Sequence, residues 1–161
     1  MPILSWLFSQ PLAVGSTAPD FSLPDQNGRQ VSLRDFLGRS NVVLVFYPGD
    51  DTSVCTKQLC ELRDDWSTVQ SKDTVVLGIN PQNAESHRRF VAKHHFPFPL
   101  LVDEGKTVAG SYHAAGLIVK RTVYLIGKDG RIRFAERGKP KPQAVLAAAE
   151  QETENERNSD H

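Results

Sequence analysis

The residues with the most chemical potential lie together in Pro48-Gly49-Asp50-Asp51-Thr52-Ser53-Val54-Cys55, with a second cysteine at Cys60. Pro48-Gly49 breaks the apolar run before it. Thr52 or Asp51 is a good helix N-cap, and the residues from there to about Gln70 read as a helix. With Thr52 as the cap, Cys55 is the third helical residue. Its sulfur then sits in the first turn, beside backbone N–H groups that lack intrahelical partners and the positive end of the helix dipole. Such a place favours the thiolate, which is the nucleophilic form of cysteine. The Thr52 hydroxyl could turn toward that sulfur or toward an incoming oxygen. Cys55, Leu59, Leu62, Trp66 and Val69 are spaced four, three, four and three apart, so they form one apolar stripe. The plainer alternative for Cys55 is a buried small hydrophobe with no chemistry.

Cys60 follows five residues later. In an intact helix that separation is about 7.5 Å of rise and roughly 140° of rotation, more than the ~7 Å between Cα atoms that a disulfide tolerates. The spacing also puts Cys60 on a face shared with the polar Arg63, Asp64 and Ser67. A Cys55–Cys60 bridge therefore requires roughly residues 53–62 to unwind. The alternative is that Cys60 is a bystander. Neither cysteine belongs to a C-x-x-C pair, and no histidine or further cysteine stands at zinc-ligand spacing, so no metal site is expected. His94 and His95 fall at a helix end, where imidazole can satisfy carbonyls, and His87, His113 and His161 are expected to be structural or solvated.

The elements that must hold the site alternate in type. Val42-Val43-Leu44-Val45-Phe46-Tyr47 is a continuous run of β-branched and aromatic residues, the pattern of a strand buried on both faces. A second such strand spans Thr74 to Ile79. A helix opens at Asn83 and runs to about His95, and Leu100-Leu101-Val102 follows as a strand. A short helix is expected from Thr107 to Tyr112. Thr122–Ile126 and Arg131–Ala135 pair around Lys128-Asp129-Gly130, where Asp-Gly supplies the turn. A last helix passes through Val145-Leu146-Ala147-Ala148. Near the start, Phe21–Leu23 and Gln30–Leu33 flank Asp25-Gln26-Asn27-Gly28 as a further hairpin. Parallel strands joined by helices and followed by an antiparallel pair define an α/β, thioredoxin-like fold: a central mixed sheet flanked by helices, with an N-terminal β-hairpin.

At 161 residues, with nineteen basic and nineteen acidic side chains, the chain suits one globular domain with no net charge to draw nucleic acid or an anionic membrane. The expected division is a flexible segment over 1–13, a domain over 14–149 and a disordered polar tail over 150–161. The opening Ile3-Leu4-Ser5-Trp6-Leu7-Phe8 is too short to span a bilayer and lacks preceding basic residues, so it makes a poor signal peptide. A cytoplasmic location is expected, in which both thiols are normally reduced and any disulfide is transient.

Pro48-x-x-x-Thr52-x-x-Cys55 resembles the signature of peroxiredoxins, the AhpC/TSA superfamily. A second cysteine five positions on is similar to the bacterioferritin-comigratory-protein or PrxQ branch. The likeness runs from about Ala18-Pro19-Asp20-Phe21 to Phe134. It implies that Pro48 shields the site, Thr52 bonds the peroxide, Cys55 is the peroxidatic nucleophile and Cys60 the resolving thiol. It also implies that Arg121, just before Thr122-Val123-Tyr124-Leu125-Ile126, stabilises the thiolate and the polarised O–O bond; an exposed strand-edge cation is the alternative. The chain departs from the family at Gln58, where a glutamate is frequent, and Gln58 is given no acid–base role.

The implied function is a thiol-dependent peroxidase acting on a hydroperoxide and recycled by a thioredoxin-like reductant. It needs no cofactor, and a resolving thiol in the same chain makes a monomer sufficient. A disulfide reductase would want cysteine at position 52, where threonine stands. A copper-binding relative of the fold would want C-x-x-x-C and a distant histidine. A redox-sensing interaction module on the same fold is the alternative of a different class.

Overall fold

A computed structural model describes residues 10–149. The apolar run near the N-terminus and the polar tail from Glu150 lie outside the described residues. Among the described residues there are seven strands: β1 Ser22–Pro24, β2 Gln30–Ser32, β3 Asn41–Phe46, β4 Thr74–Asn80, β5 Leu100–Val102, β6 Thr122–Ile126 and β7 Ile132–Arg137. Helices α1 Ser53–Asp64 and α2 Trp66–Ser71 join β3 to β4, α3 Ala84–His94 joins β4 to β5, and α4 Thr107–Ser111 precedes β6. A final helix, α5, covers 142–149.

The main sheet has the order β5-β4-β3-β6-β7, and β1-β2 forms a separate two-stranded hairpin. β3 pairs parallel with β4 and antiparallel with β6, so the sheet is mixed, with β3 at its centre. Five of its six residues, Val42 to Phe46, are fully buried. Side chains alternate between faces along a strand. Val42, Leu44 and Phe46 therefore pack toward Phe21, Val31, Tyr112 and Tyr124, whereas Val43, Val45 and Tyr47 pack toward Cys55, Leu59, Leu62, Val69 and Phe90. Two apolar layers on one strand explain why its sequence shows no alternation. Within the segment 1–13 expected to be flexible, Leu12 packs on the first of these layers and donates its N–H to the Tyr124 hydroxyl at 2.9 Å.

The helix after Thr52 is interrupted. Asp65 adopts φ −93°, ψ 16°, which ends α1 and starts α2. The apolar stripe still continues across the break, since Cys55, Leu59, Leu62 and Val69 are buried and Trp66 packs on the same cluster. Asn83 caps α3 by accepting the Ser86 N–H at 2.9 Å, and His95 ends it in the left-handed region at φ 55°. The last carbonyl of α3, that of His94, is taken by the Arg63 guanidinium of α1 at 2.7 Å rather than by an imidazole. His94 instead lies between Phe90 and Phe96, with ring centroids 5.3 and 5.5 Å away.

One glycine has a steric task. A Cβ at Gly78 in β4 would lie 2.6 Å from Leu100 Cδ2 and 3.3 Å from Tyr47 Cε1. Gly78→Ala is expected to lower stability by about 1–3 kcal/mol through overpacking, seen as a lower urea midpoint at unchanged m. An unchanged midpoint would show that Leu100 and Tyr47 can move aside freely.

Candidate active site

The chain leaves the sheet at Tyr47, turns through Pro48 to Asp51, and enters α1. Asp51 takes the left-handed conformation, φ 60°, which aspartate tolerates better than most residues. Its carboxylate meets Lys93 Nζ at 2.9 Å. Thr52 is the N-cap by backbone conformation, with φ −85° and ψ 147°, but its side chain does not cap the helix. Its hydroxyl points back to the Gly49 carbonyl, 3.4 Å away. Thr52 is exposed, so its hydroxyl can reorient toward an incoming molecule. Pro48 is half-buried at the start of the same turn.

Cys55 is fully buried on the packed face of α1, in its first turn. Arg121 meets it there: Nη2 donates to Cys55 Sγ at 3.1 Å, and Nη1 donates to Gln58 Oε1 at 2.9 Å. The sheet brings these groups together across 66 residues. β6 runs antiparallel to β3 with Thr122 opposite Phe46, so Arg121 stands beside the end of β3 from which the site loop departs. Arg121 is therefore no strand-edge cation. Its own backbone carbonyl accepts the Gly138 N–H at 2.8 Å, just past β7. Gln58 reaches the same place, with Nε2 placed 3.4 Å from the Gly138 carbonyl. Gln58 is 5% exposed and holds the guanidinium at a fixed distance from the sulfur without adding charge. In the sequence, position 58 stands out only as a departure from the glutamate frequent in the family, and its contact with Arg121 is not legible there.

Cys60 lies on the same unbroken helix as Cys55, and both thiols are free. It is partly buried against the apolar cluster rather than on a wholly polar face. Burial pushes the Cys60 thiol up, against a smaller opposing effect of Arg63. In the folded helix it is therefore held as the weakly nucleophilic thiol.

Behind the loop, the Tyr47 hydroxyl donates to Asp50 Oδ1 at 2.6 Å, and His87 Nδ1 meets Asp50 Oδ2 at 2.5 Å. Burial alone would raise the Asp50 carboxyl, but the bonds from His87, Tyr47 and Ser86 outweigh it and hold the group below its ordinary value. Burial, reinforced by Asp50, raises the Tyr47 phenol well above its usual range, so it stays a donor. From sequence Asp50 was only part of the site turn and His87 only a structural or solvated histidine; 37 residues separate them, and the packing of α3 behind the loop makes them neighbours. Among the described residues no group of three or more His, Cys, Asp or Glu side chains is placed to hold a metal ion, and no helix is long and apolar enough to cross a membrane.

A buried cysteine at a helix mouth, faced by an arginine on a thioredoxin-like sheet, invites comparison with known proteins. The AhpC/TSA family model matches residues 14–135. A putative peroxiredoxin bcp of Coxiella burnetii is 39% identical over 133 residues, covering 75% of this chain and 85% of that protein. A putative chloroplastic peroxiredoxin Q of Oryza sativa subsp. indica is also 39% identical over 133 residues, which cover 80% of this chain but only 61% of the plant protein. The crystal structure of peroxidoxin BcpB from Mycobacterium tuberculosis superposes with a TM-score of 0.82 at 30% identity, covering 87% of this chain and 97% of the other. The chain therefore belongs to the AhpC/TSA family, among relatives of the peroxiredoxin Q and Bcp kind.

Proposed function

We propose that the protein is a thiol peroxidase that reduces hydrogen peroxide and organic hydroperoxides, using Cys55 as the peroxidatic and Cys60 as the resolving thiol. The observation that carries this is the 3.1 Å contact from Arg121 Nη2 to the Cys55 sulfur in the first turn of α1. A guanidinium that faces the nucleophile also faces the charge developing on the leaving oxygen. Residues 14–149 form the unit that carries the chemistry, in a monomer of cytoplasmic location whose resolving thiol lies in the same chain.

The cycle has three steps. The Cys55 thiolate attacks the terminal oxygen of ROOH, the O–O bond breaks, and RO⁻ leaves as ROH with a proton from solvent. Sulfur is oxidised to the sulfenic acid and the peroxide is reduced. Pro48 shields the sulfur, the Thr52 hydroxyl bonds the peroxide, and Arg121 holds the two reacting centres together. The start of α1 then unwinds, and Cys60 attacks the Cys55 sulfur with loss of water. Unwinding does two things for Cys60, because it closes the gap to Cys55 and removes the burial that suppresses its thiolate. The Arg63 anchor to the His94 carbonyl lies just beyond the segment that must open, so the C-terminal part of the helix can stay docked. A thioredoxin-like dithiol finally reduces the disulfide by two exchanges and is itself oxidised.

Intact mass after stoichiometric hydrogen peroxide tests both assignments. Wild type is expected to lose two hydrogens, Cys60→Ser to gain oxygen on Cys55, and Cys55→Ser to remain unchanged. Reaction of Cys55→Ser at the wild-type rate would overturn the assignment.

A further inference from the structure

A buried polar cluster behind the site loop has no part in the cycle above. His87 is completely buried in α3, and both of its ring nitrogens have partners: Asp50 Oδ2 at 2.5 Å from Nδ1 and the Leu101 carbonyl at 3.0 Å from Nε2. A carbonyl only accepts, so Nε2 carries a hydrogen. Asp50 Oδ2 also receives the Ser86 hydroxyl at 2.7 Å, while Oδ1 receives the Tyr47 hydroxyl at 2.6 Å and the Asn80 amide at 3.1 Å. Three donors besides His87 converge on the Asp50 carboxylate, so Asp50 stands as the acceptor of this cluster and Nδ1 is the His87 atom that faces it. The Asp50 side chain is only 2% exposed. The Asp50 N–H is in turn bonded to the Gln82 side chain, which is itself held by Asn80.

Asp50 is thus gripped from the end of β3, from β4 and from α3 at once. It lies two residues before Thr52 and five before Cys55, at the point where the chain must turn out of the sheet at a set angle. One carboxylate with that many partners is far more than a solvent-facing turn requires.

Building on the proposed peroxidase activity, we propose that His87 is a positioning residue for the reaction of Cys55 with peroxide: donation from Nδ1 holds Asp50, and Asp50 holds the Pro48–Thr52 turn so that the Thr52 hydroxyl and the Cys55 sulfur present to one oxygen. His87 touches neither substrate nor sulfur. Its removal acts on the geometry of the turn, and so on peroxide reduction, while the later attack of Cys60 proceeds from an already unwound segment.

The two steps are read separately by rapid-quench mass spectrometry, with His87→Asn and His87→Gln as the variants. An asparagine amide can place a donor near the Nδ1 position, facing Asp50; a glutamine amide reaches the Nε2 position, facing Leu101. His87→Gln is expected to slow the peroxide step roughly 10- to 100-fold, with disulfide formation as fast as in wild type or faster. His87→Asn is expected to recover much of the peroxide rate although it leaves the larger void and the lower melting temperature. A merely structural histidine gives the reverse order, with glutamine the better substitute and both steps affected alike. That order, or wild-type peroxide rates in both variants, would overturn the proposal. Should both variants fail to fold, Tyr47→Phe removes one donor from Asp50 without a void. It is expected to slow the peroxide step roughly two- to tenfold, and an unchanged rate would overturn the proposal equally. A wild type that does not react with peroxide at all would instead remove the peroxidase activity on which the inference rests.

Discussion

Arg121→Met is expected to slow the reaction of Cys55 with hydrogen peroxide by roughly 10²–10³, the usual cost of removing one preorganised donor from a developing oxyanion. Methionine keeps much of the length and packing of the side chain, so the fold should persist. What is lost is the positive charge 3.1 Å from the sulfur and the pair of donors that spans Cys55 and Gln58. Arg121→Lys separates these two contributions. Lysine restores a charge but cannot present two fixed N–H groups to sulfur and amide together, so its rate should fall between those of wild type and Arg121→Met. Pseudo-first-order stopped-flow kinetics over a range of peroxide concentrations gives both numbers. Rates for Arg121→Met within twofold of wild type would mean that the guanidinium serves only to pack the ends of β6 and β7.

Leu59→Ala should have opposite effects on stability and on disulfide formation. Leu59 is fully buried one turn after Cys55, against Val43, Val45 and the other side chains of that apolar layer. Truncation of such a side chain costs about 2–5 kcal/mol, from lost burial and from the cavity left behind. The segment proposed to unwind so that Cys60 reaches Cys55 includes this residue. The penalty therefore falls on the folded helix and not on the opened one, and the open population rises by roughly tenfold or more. Urea denaturation is expected to show a lower midpoint, and quenched-flow mass measurements a faster conversion of the sulfenic acid to the disulfide. A slower conversion that tracks the loss of stability would show that Cys60 attacks from a folded arrangement, and the unwinding step would have to be abandoned.

Both predictions act on α1, and they separate what is written locally from what is assembled. Thr52, Cys55, Leu59, Leu62 and Val69 could be placed from spacing alone, because helical periodicity is a short-range property and the turn chemistry of Pro48-Gly49 sits beside it. The same holds for β3, whose unbroken apolar run reports burial on both faces, and for the Asp-Gly turn of the last hairpin. The break at Asp65 was not visible, since the apolar stripe runs through it without a change of period. Nor was the partial burial of Cys60, which depends on what packs against α1 from outside.

Arg121 shows the boundary most clearly. Its residue type and its place before a strand suggested a role only through resemblance to a family. Its contact with Cys55 follows from the register of β6 on β3, with Thr122 opposite Phe46. Asp50 and His87 had no such help, and the resemblance marked Gln58 only as a departure. Each is an ordinary polar residue in its own segment, and the contacts Gln58–Arg121, Gln58–Gly138, Asp50–Asn80 and Asp50–His87 each span 30 to 80 residues. Local pattern determined which helix carries Cys55 and which way it faces. Tertiary structure decided which charges meet that sulfur, because strand register and helix docking, which no short window of sequence encodes, set the distances over which electrostatics and hydrogen bonds act.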